Sequence, residues 1–404
     1  MKKQAKQNQH RMISTSFQTL KDLPTPLSYP QYVIHKHEIL ICGSRNQRKC
    51  YSYHTIKNQY KFICKYPSNV TLNKHCVVKL VDNNNKESNQ ITLLSFGGRY
   101  KHTLVMKYAS VWSNDDNSNN EDEMNKSNKL KKSNNYNEWV PFTDNHNNPI
   151  IIGRDNDNYH EVRAVIGGSN NHLLFITYYP YNISVFDLNI FQFIKHDELP
   201  TMNSILCHCL VSKSENGQGQ EMMKTNEKNK QNDQMLLFCS ETGLSIEYDE
   251  YNNTFQFHQL PVIEIKSLHS YACVCINDII LFFGGYVTSF LGSNTGYNLV
   301  SKSVRKYSIQ ENKWTIFKTI LPSPLSDCAA ILNEDSTHIH IIGGYNDKNK
   351  TVSAHIKTKV RVWDGSLLPK KEIKLITEYW IRTLKIKLGW IDDFNQIIFQ
   401  YSKF

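Results

Sequence analysis

HSYACVCINDIILFFGG, residues 269–285, and VSKSVRKYSIQENKWTIFKTILP, residues 300–322, together decide the fold. The stretch opens on an apolar run, turns at Asn277-Asp278, and returns through Ile279-Ile280-Leu281-Phe282-Phe283 to the doublet Gly284-Gly285. An alternating run to Tyr307 follows, then a polar turn, then a run starting near Trp314. Four short runs separated by turn residues read as one antiparallel four-stranded sheet. Leu321-Pro322 closes the last run, because proline has no N–H with which to continue a ladder.

The same punctuation recurs along the chain. Tyr307 and Trp314 are seven positions apart, as are Tyr248 and Phe255, and Tyr53 and Tyr60. Phe186 has two candidate partners at similar distance, Phe191 and Phe193, and Trp112 with Trp139 reads as a further pair pushed apart by an insertion. Pro67, Pro141, Pro200, Pro261 and Pro322 follow the second aromatic of each unit. Gly97-Gly98, Gly284-Gly285 and Gly343-Gly344 each follow an apolar strand, and Gly43-Ser44 is a degraded copy. Gly167-Gly168 sits one strand too early to count, and the unit at 236–240 has lost both glycines.

An apolar strand, a glycine doublet, and two aromatics about seven apart resemble the kelch-repeat family over roughly residues 16–365. Six units over about 350 residues give a period of about 58, falling to about 50 once two Asn/Lys/Ser-rich inserts, 113–137 and 212–234, are set aside; about 50 is the expected length of that repeat. The resemblance implies an all-β, six-bladed kelch-type β-propeller over 14–365. Val360-Arg361-Val362-Trp363-Asp364 offers a WD-repeat propeller as the competing fold, on a single Trp-Asp dipeptide. The sixth unit runs out after Trp363 with no outer strand, and SFQTLKDLPTPL near the N-terminus resembles ILPSPL at 320–325. Residues 14–24 are therefore expected to supply the missing strand, because open sheet edges invite unwanted pairing.

In such a blade the loop between strands 2 and 3 and the link to the next blade share one end of the ring. Both inserts fall on the other end, and their polar composition is expected to leave them disordered. Candidate partner contacts on the first end, a position the resemblance implies for protein contacts, are Arg45, Arg99, Tyr100, Lys101, His102, Tyr286 and Tyr345. Arg154, Phe290 and Tyr297 lie in longer loops of the same end. Arg and Tyr are favoured interface anchors.

Charge narrows the partner class. Of the formal net charge of +10, residues 1–15 hold +4 and residues 366–404 hold +3, leaving a body of +3. A body so near neutral does not predict nucleic-acid binding. No apolar run approaches the roughly 20 residues of a membrane helix, and 1–13 form a basic tail without the apolar core of a signal peptide. No membrane association is expected. Ten cysteines in such a chain read as reduced thiols, which points to the cytoplasm.

Catalytic motifs are not found: there is no nucleophile elbow and no phosphate loop. His338/His340, Cys207/Cys209 and Cys273/Cys275 put pairs on one strand face, as a metal site requires. Cys76, Cys207, Cys209, Cys273, Cys275 and Cys328 fall on expected innermost strands, where cysteine serves as a small buried residue. His35 and His37, in the turn HKHE, read as solvent-facing. No metal or cofactor is expected. Beyond the ring, Ile373, Ile376, Trp380, Leu384 and Leu388 step by three or four, predicting an amphipathic helical extension over 366–404 that docks on the propeller or on a partner. The sequence thus predicts a non-enzymatic protein or peptide binding module, with an enzyme at a mouth of the channel as the alternative.

Overall fold

Each repeat unit folds by pairing its runs in chain order, so that local turns do most of the work. A computed structural model describes residues 16–81, 90–113, 136–212, 233–265, 267–289 and 297–364. The strands are β1 (Phe17–Thr19), β2 (Tyr32–His35), β3 (Glu38–Ser44), β4 (Gln47–His54), β5 (Gln59–Lys65), β6 (Cys76–Leu80), β7 (Gln90–Phe96), β8 (Thr103–Ala109) and β9 (Val140–Pro141). They continue with β10 (Asn158–Gly167), β11 (Leu173–Tyr179), β12 (Asn182–Asp187), β13 (Gln192–Glu198), β14 (Cys209–Ser212), β15 (Asp233–Cys239), β16 (Thr242–Asp249), β17 (Thr254–Gln259) and β18 (Leu268–His269). The last are β19 (Ala272–Ile276), β20 (Ile279–Phe283), β21 (Tyr286–Ser289), β22 (Tyr297–Val300), β23 (Val304–Ser308), β24 (Lys313–Ile316), β25 (Ala329–Leu332), β26 (His338–Ile342) and β27 (His355–Lys359). Among the described residues they form six four-stranded sheets, β2-β3-β4-β5, β6-β7-β8-β9, β10-β11-β12-β13, β14-β15-β16-β17, β19-β20-β23-β24 and β25-β26-β27-β1. The stretch at 286–300, read from sequence as a loop, contributes the hairpin strands β21 and β22, which join β18 in a three-stranded sheet.

The seven-residue aromatic interval has a geometric cause. Tyr53 faces Tyr60, Tyr248 faces Phe255, and Tyr307 faces Trp314 directly across a hairpin, with ring centroids 4.8, 4.9 and 5.2 Å apart. The fourth pair is Phe186 with Phe193, at 5.1 Å. Each tyrosine also donates its hydroxyl to an asparagine five positions on: Tyr53 to Asn58 at 2.9 Å, Tyr248 to Asn253 at 2.8 Å, and Tyr307 to Asn312 at 2.6 Å. Those asparagines take the left-handed conformation that the turn demands, with φ of 51°, 52° and 50°. Trp112 and Trp139 are not a pair. Trp139 stacks on Tyr66 at 4.6 Å, while the Trp112 indole N–H donates to Ser52 at 2.8 Å, because Trp112 lies beyond the end of β8.

Apolar clusters fill the space between consecutive sheets. Leu40, Leu72, Leu93 and Tyr108 fill it between the first and second, and Phe175, Leu199, Leu237 and Tyr248 between the third and fourth. The glycine doublets allow backbone to approach backbone at these junctions. The Gly285 N–H donates to the Leu325 carbonyl at 2.8 Å, and a Cβ on Gly284, whose φ is +65°, would collide with that same oxygen. A cavity of about 580 Å³ is lined by residues of all six first strands, β2, β6, β10, β14, β19 and β25. The architecture is thus all-β and propeller-like, around a central channel.

The N-terminal segment joins the last sheet. Phe17 pairs with Thr358 and Thr19 with Ile356, and the Leu20 and Leu23 N–H groups donate to the His355 and Ser353 carbonyls at 2.8 and 3.0 Å. Leu23 and Leu27 then pack with Ile39, Ile41 and Tyr53 of the first sheet and Ile331 and Ile342 of the last. The chain divides into two units, residues 1–358 and 359–404. In the second unit Val360–Val362 form a 3-10 turn where the WD resemblance called for a strand. The expected helix of 366–404 lies outside the described residues, as do most of both inserts.

Candidate functional site

One residue just ahead of each innermost strand, or at a bulge within it, adopts the left-handed conformation although none is glycine. These are Tyr29, Lys74, Glu161, Cys207, Ser270 and Asp327, with φ between 51° and 64°. Such a backbone costs about 1–3 kcal/mol per residue and is held only where its surroundings enforce it. Here the backbone itself supplies part of the support. The Tyr29 N–H donates to the Asp327 carbonyl at 3.0 Å, the Asp327 N–H to Ser270 at 2.8 Å, and the Glu161 N–H to Lys74 at 3.2 Å.

The six side chains form a circuit around the channel mouth. The Lys74 ammonium lies 4.3 Å from the centre of the Tyr29 ring and is ion-paired with Glu161. The Glu161 carboxylate accepts from the Cys207 backbone N–H at 2.5 Å and from its thiol at 3.1 Å, and the Ser270 hydroxyl donates to the Cys207 sulfur at 3.0 Å. Asp327 lies against Ser270 and Tyr29 and completes the turn. Burial pushes the Cys207 thiol up, so it stays protonated at neutral pH and lacks the character of a nucleophile. Burial also raises the Asp327 carboxyl, against the lowering pull of Ser270, Tyr29 and Lys74. The Tyr29 hydroxyl is raised by burial and then by the charge of Asp327.

A groove of about 770 Å³ opens on the same end, lined by Tyr29, Arg45, Tyr286, Asp327, Tyr345 and their neighbours. Three of the sequence candidates, Arg45, Tyr286 and Tyr345, are brought together there. Arg45 is exposed and donates to the Tyr345 hydroxyl at 3.3 Å, and the Tyr345 ring meets Tyr29 edge-on at 6.3 Å. A second group gathers at the turn after β7. Lys101 donates to the Arg154 and Asp155 carbonyls at 2.6 and 2.9 Å, and Arg154 pairs with Asp157 at 2.9 Å. Arg99 and Tyr100 are exposed beside them. His102 instead turns inward to Ser95 at 2.8 Å, and burial pushes its pKa down to about 4. Tyr297 starts β22, and Phe290 lies outside the described residues. Of the apolar loop residues between the second and third sheets, Ile152 and Tyr159 are buried in the core.

All six cysteines assigned to the innermost strands line the channel, and all ten in the chain are free thiols. Among the described residues no three His, Cys, Asp or Glu side chains gather as metal ligands would. His35 is buried against Tyr108, not solvent-facing, because it ends β2 inside the sheet and not in the turn beyond it. The left-handed ring and Asp327 had no signal in the sequence, since the six residue types share nothing.

No family model and no curated protein matches the chain. Among solved structures it is similar to that described as the structure of YjhT, at 13% identity and a TM-score of 0.55, covering 83% of this chain and 95% of that one. At that identity the likeness concerns the fold alone. Among the described residues no helix is long and apolar enough to cross a membrane.

Proposed function

We propose that the chain is a kelch-type propeller of six blades, each of the four-stranded sheets being one blade, and that it is a non-enzymatic module that binds a protein or peptide. The binding face in this reading is the end carrying the strand 2–3 and blade-to-blade loops. The observation that carries it is the convergence of Arg45, Tyr286 and Tyr345 on one open groove, since arginine and tyrosine anchor interfaces through large contact area and directed hydrogen bonds. The free cysteines fit a cytoplasmic protein.

Affinity capture with the full chain, followed by mass spectrometry, tests the reading against the paired variant Tyr286→Ala/Tyr345→Ala. A partner set lost in the variant at unchanged thermal stability supports it; identical recovery by both proteins refutes it. An enzyme with its site at the channel mouth is the second reading, favoured by the strained ring and the raised Asp327 carboxyl.

A further inference from the structure

Asp327 is the one charged group of the mouth circuit with no ion pair of its own among the described residues, the nearby Lys74 being taken up by Glu161. The groups beside the Asp327 carboxylate are neutral hydroxyls: Ser326 donates to Oδ2 at 3.3 Å, the Ser270 and Tyr29 side chains lie against it, and Oδ1 is left without a hydrogen-bond partner. The residue is 8% exposed. A buried carboxylate with an unused oxygen is costly, and the cost is removed when a cation arrives. Asp327 lines both the channel and the open groove, so an incoming group can reach it from the surface. Tyr29, Tyr286 and Tyr345 line the same groove, and aromatic rings favour a cation through their quadrupole and stack on a guanidinium. The charged side chains of the groove are Asp327 and Asp347 against Arg45 alone, a balance that favours a basic ligand over an acidic one.

We propose that this groove is a pocket for a basic side chain, arginine or lysine, of the bound peptide, with Asp327 as its counter-ion and the three tyrosines as its walls. This rests on the reading of the chain as a peptide-binding module, and the test separates the two. An array of random dodecapeptides is probed with the full chain and with Asp327→Asn, and bound sequences are remade with citrulline for arginine and norleucine for lysine. Bound peptides are expected to share a basic residue whose neutral replacement lowers affinity at least tenfold for the native chain and less than threefold for Asp327→Asn. Tyr345→Ala, at the rim, is expected to weaken the same peptides about fivefold, and it serves as the variant should Asp327→Asn fail to fold. Binding of acidic or neutral peptides at this groove overturns the cationic pocket while leaving the module intact. Binding of no peptide at all overturns both.

Discussion

Mild acid should unlock the ring, because several of its histidines, His340 and His75 among them, are buried in the neutral form. His340 on β26 is 2% exposed, shares a hydrogen bond of 2.9 Å with His355 on β27, and lies against Tyr53 of the first sheet; His355 is bonded in turn to Tyr60. His75 is fully buried, with Nε2 on the Cys42 carbonyl at 3.1 Å and no partner on Nδ1. Burial pushes each down to about 3, helped by a neighbouring charge: Lys357 and His338 for His340, and His102 for His75. The unfolded value is about 6.5. A base depressed in the folded state contributes stability that is complete above the unfolded pKa and is lost as pH falls from there toward the folded one. At pH 5 each histidine lies about 1.5 units below its unfolded value, and at about 1.36 kcal/mol per unit costs about 2 kcal/mol, or about 4 kcal/mol for the two. That approaches the whole stability of many domains, about 5–15 kcal/mol. Urea unfolding at pH 7, 6 and 5 measures it. Between pH 6 and 5 these two groups contribute a slope of about 2.4 kcal/mol per unit, added to by the other buried histidines His355, His208 and His102, and His340→Asn should remove about 1.2 kcal/mol per unit. Asp233 and Asp327, whose carboxyls are raised by burial, work in the opposite direction, so the difference between the native chain and His340→Asn is the quantity to read. An unchanged slope in that variant, or a midpoint that does not move between pH 7 and 5, refutes the argument.

Three further outcomes follow from the sheets. Phe17→Ser, which removes a buried ring from the N-terminal strand, should cost about 2–4 kcal/mol by denaturant unfolding, and deletion of residues 1–19 should leave the β27 edge open to association detectable by light scattering. Tyr307→Phe keeps the ring against Trp314 and removes only the bond to Asn312; a loss of about 1 kcal/mol is expected, and no loss would show that the turn holds itself. Deleting 114–135 and 213–232 should shift the thermal midpoint by only a few degrees, because Asn137 exchanges hydrogen bonds with Ala109 at 3.0 Å and Ser212 pairs with Met235 across the second gap. Collapse of that double deletion would give the inserts a structural role.

What the sequence carried legibly was whatever local geometry repeats. A two-stranded hairpin brings residues seven apart face to face, so Tyr53/Tyr60, Tyr248/Phe255 and Tyr307/Trp314 declare their sheets without any tertiary information. The doublet at Gly284-Gly285 is equally readable, because only glycine lets Leu325 come so close. The closing strand was legible as an arithmetic deficit, one strand short at one end and one spare at the other. Where the pairing depended on an aromatic whose hairpin was interrupted, as with Trp112 and Trp139, the same reasoning failed, since the interval that carries the signal was gone.

The mouth of the channel was illegible for the opposite reason. Its members are defined by a backbone position, two or three residues ahead of a first-strand residue, and the chain has filled that position with Tyr29, Lys74, Glu161, Cys207, Ser270 and Asp327, six different residue types. A repeat that keeps the frame constant and varies every residue at one level of it leaves no pattern to detect, and its members meet only after the ring has closed. Glycine would satisfy the left-handed backbone at all six places without cost. That the chain carries six larger side chains there, all engaged with one another and one of them, Asp327, still keeping an unused oxygen, places the selective demand on what these groups contact and not on how the strands begin. The cost of that arrangement is met by the sheets around it, so the buried histidine seam at His340 and the mouth at Asp327 should be separable by mutation: the first tested by stability, the second by the ligand binding proposed for it.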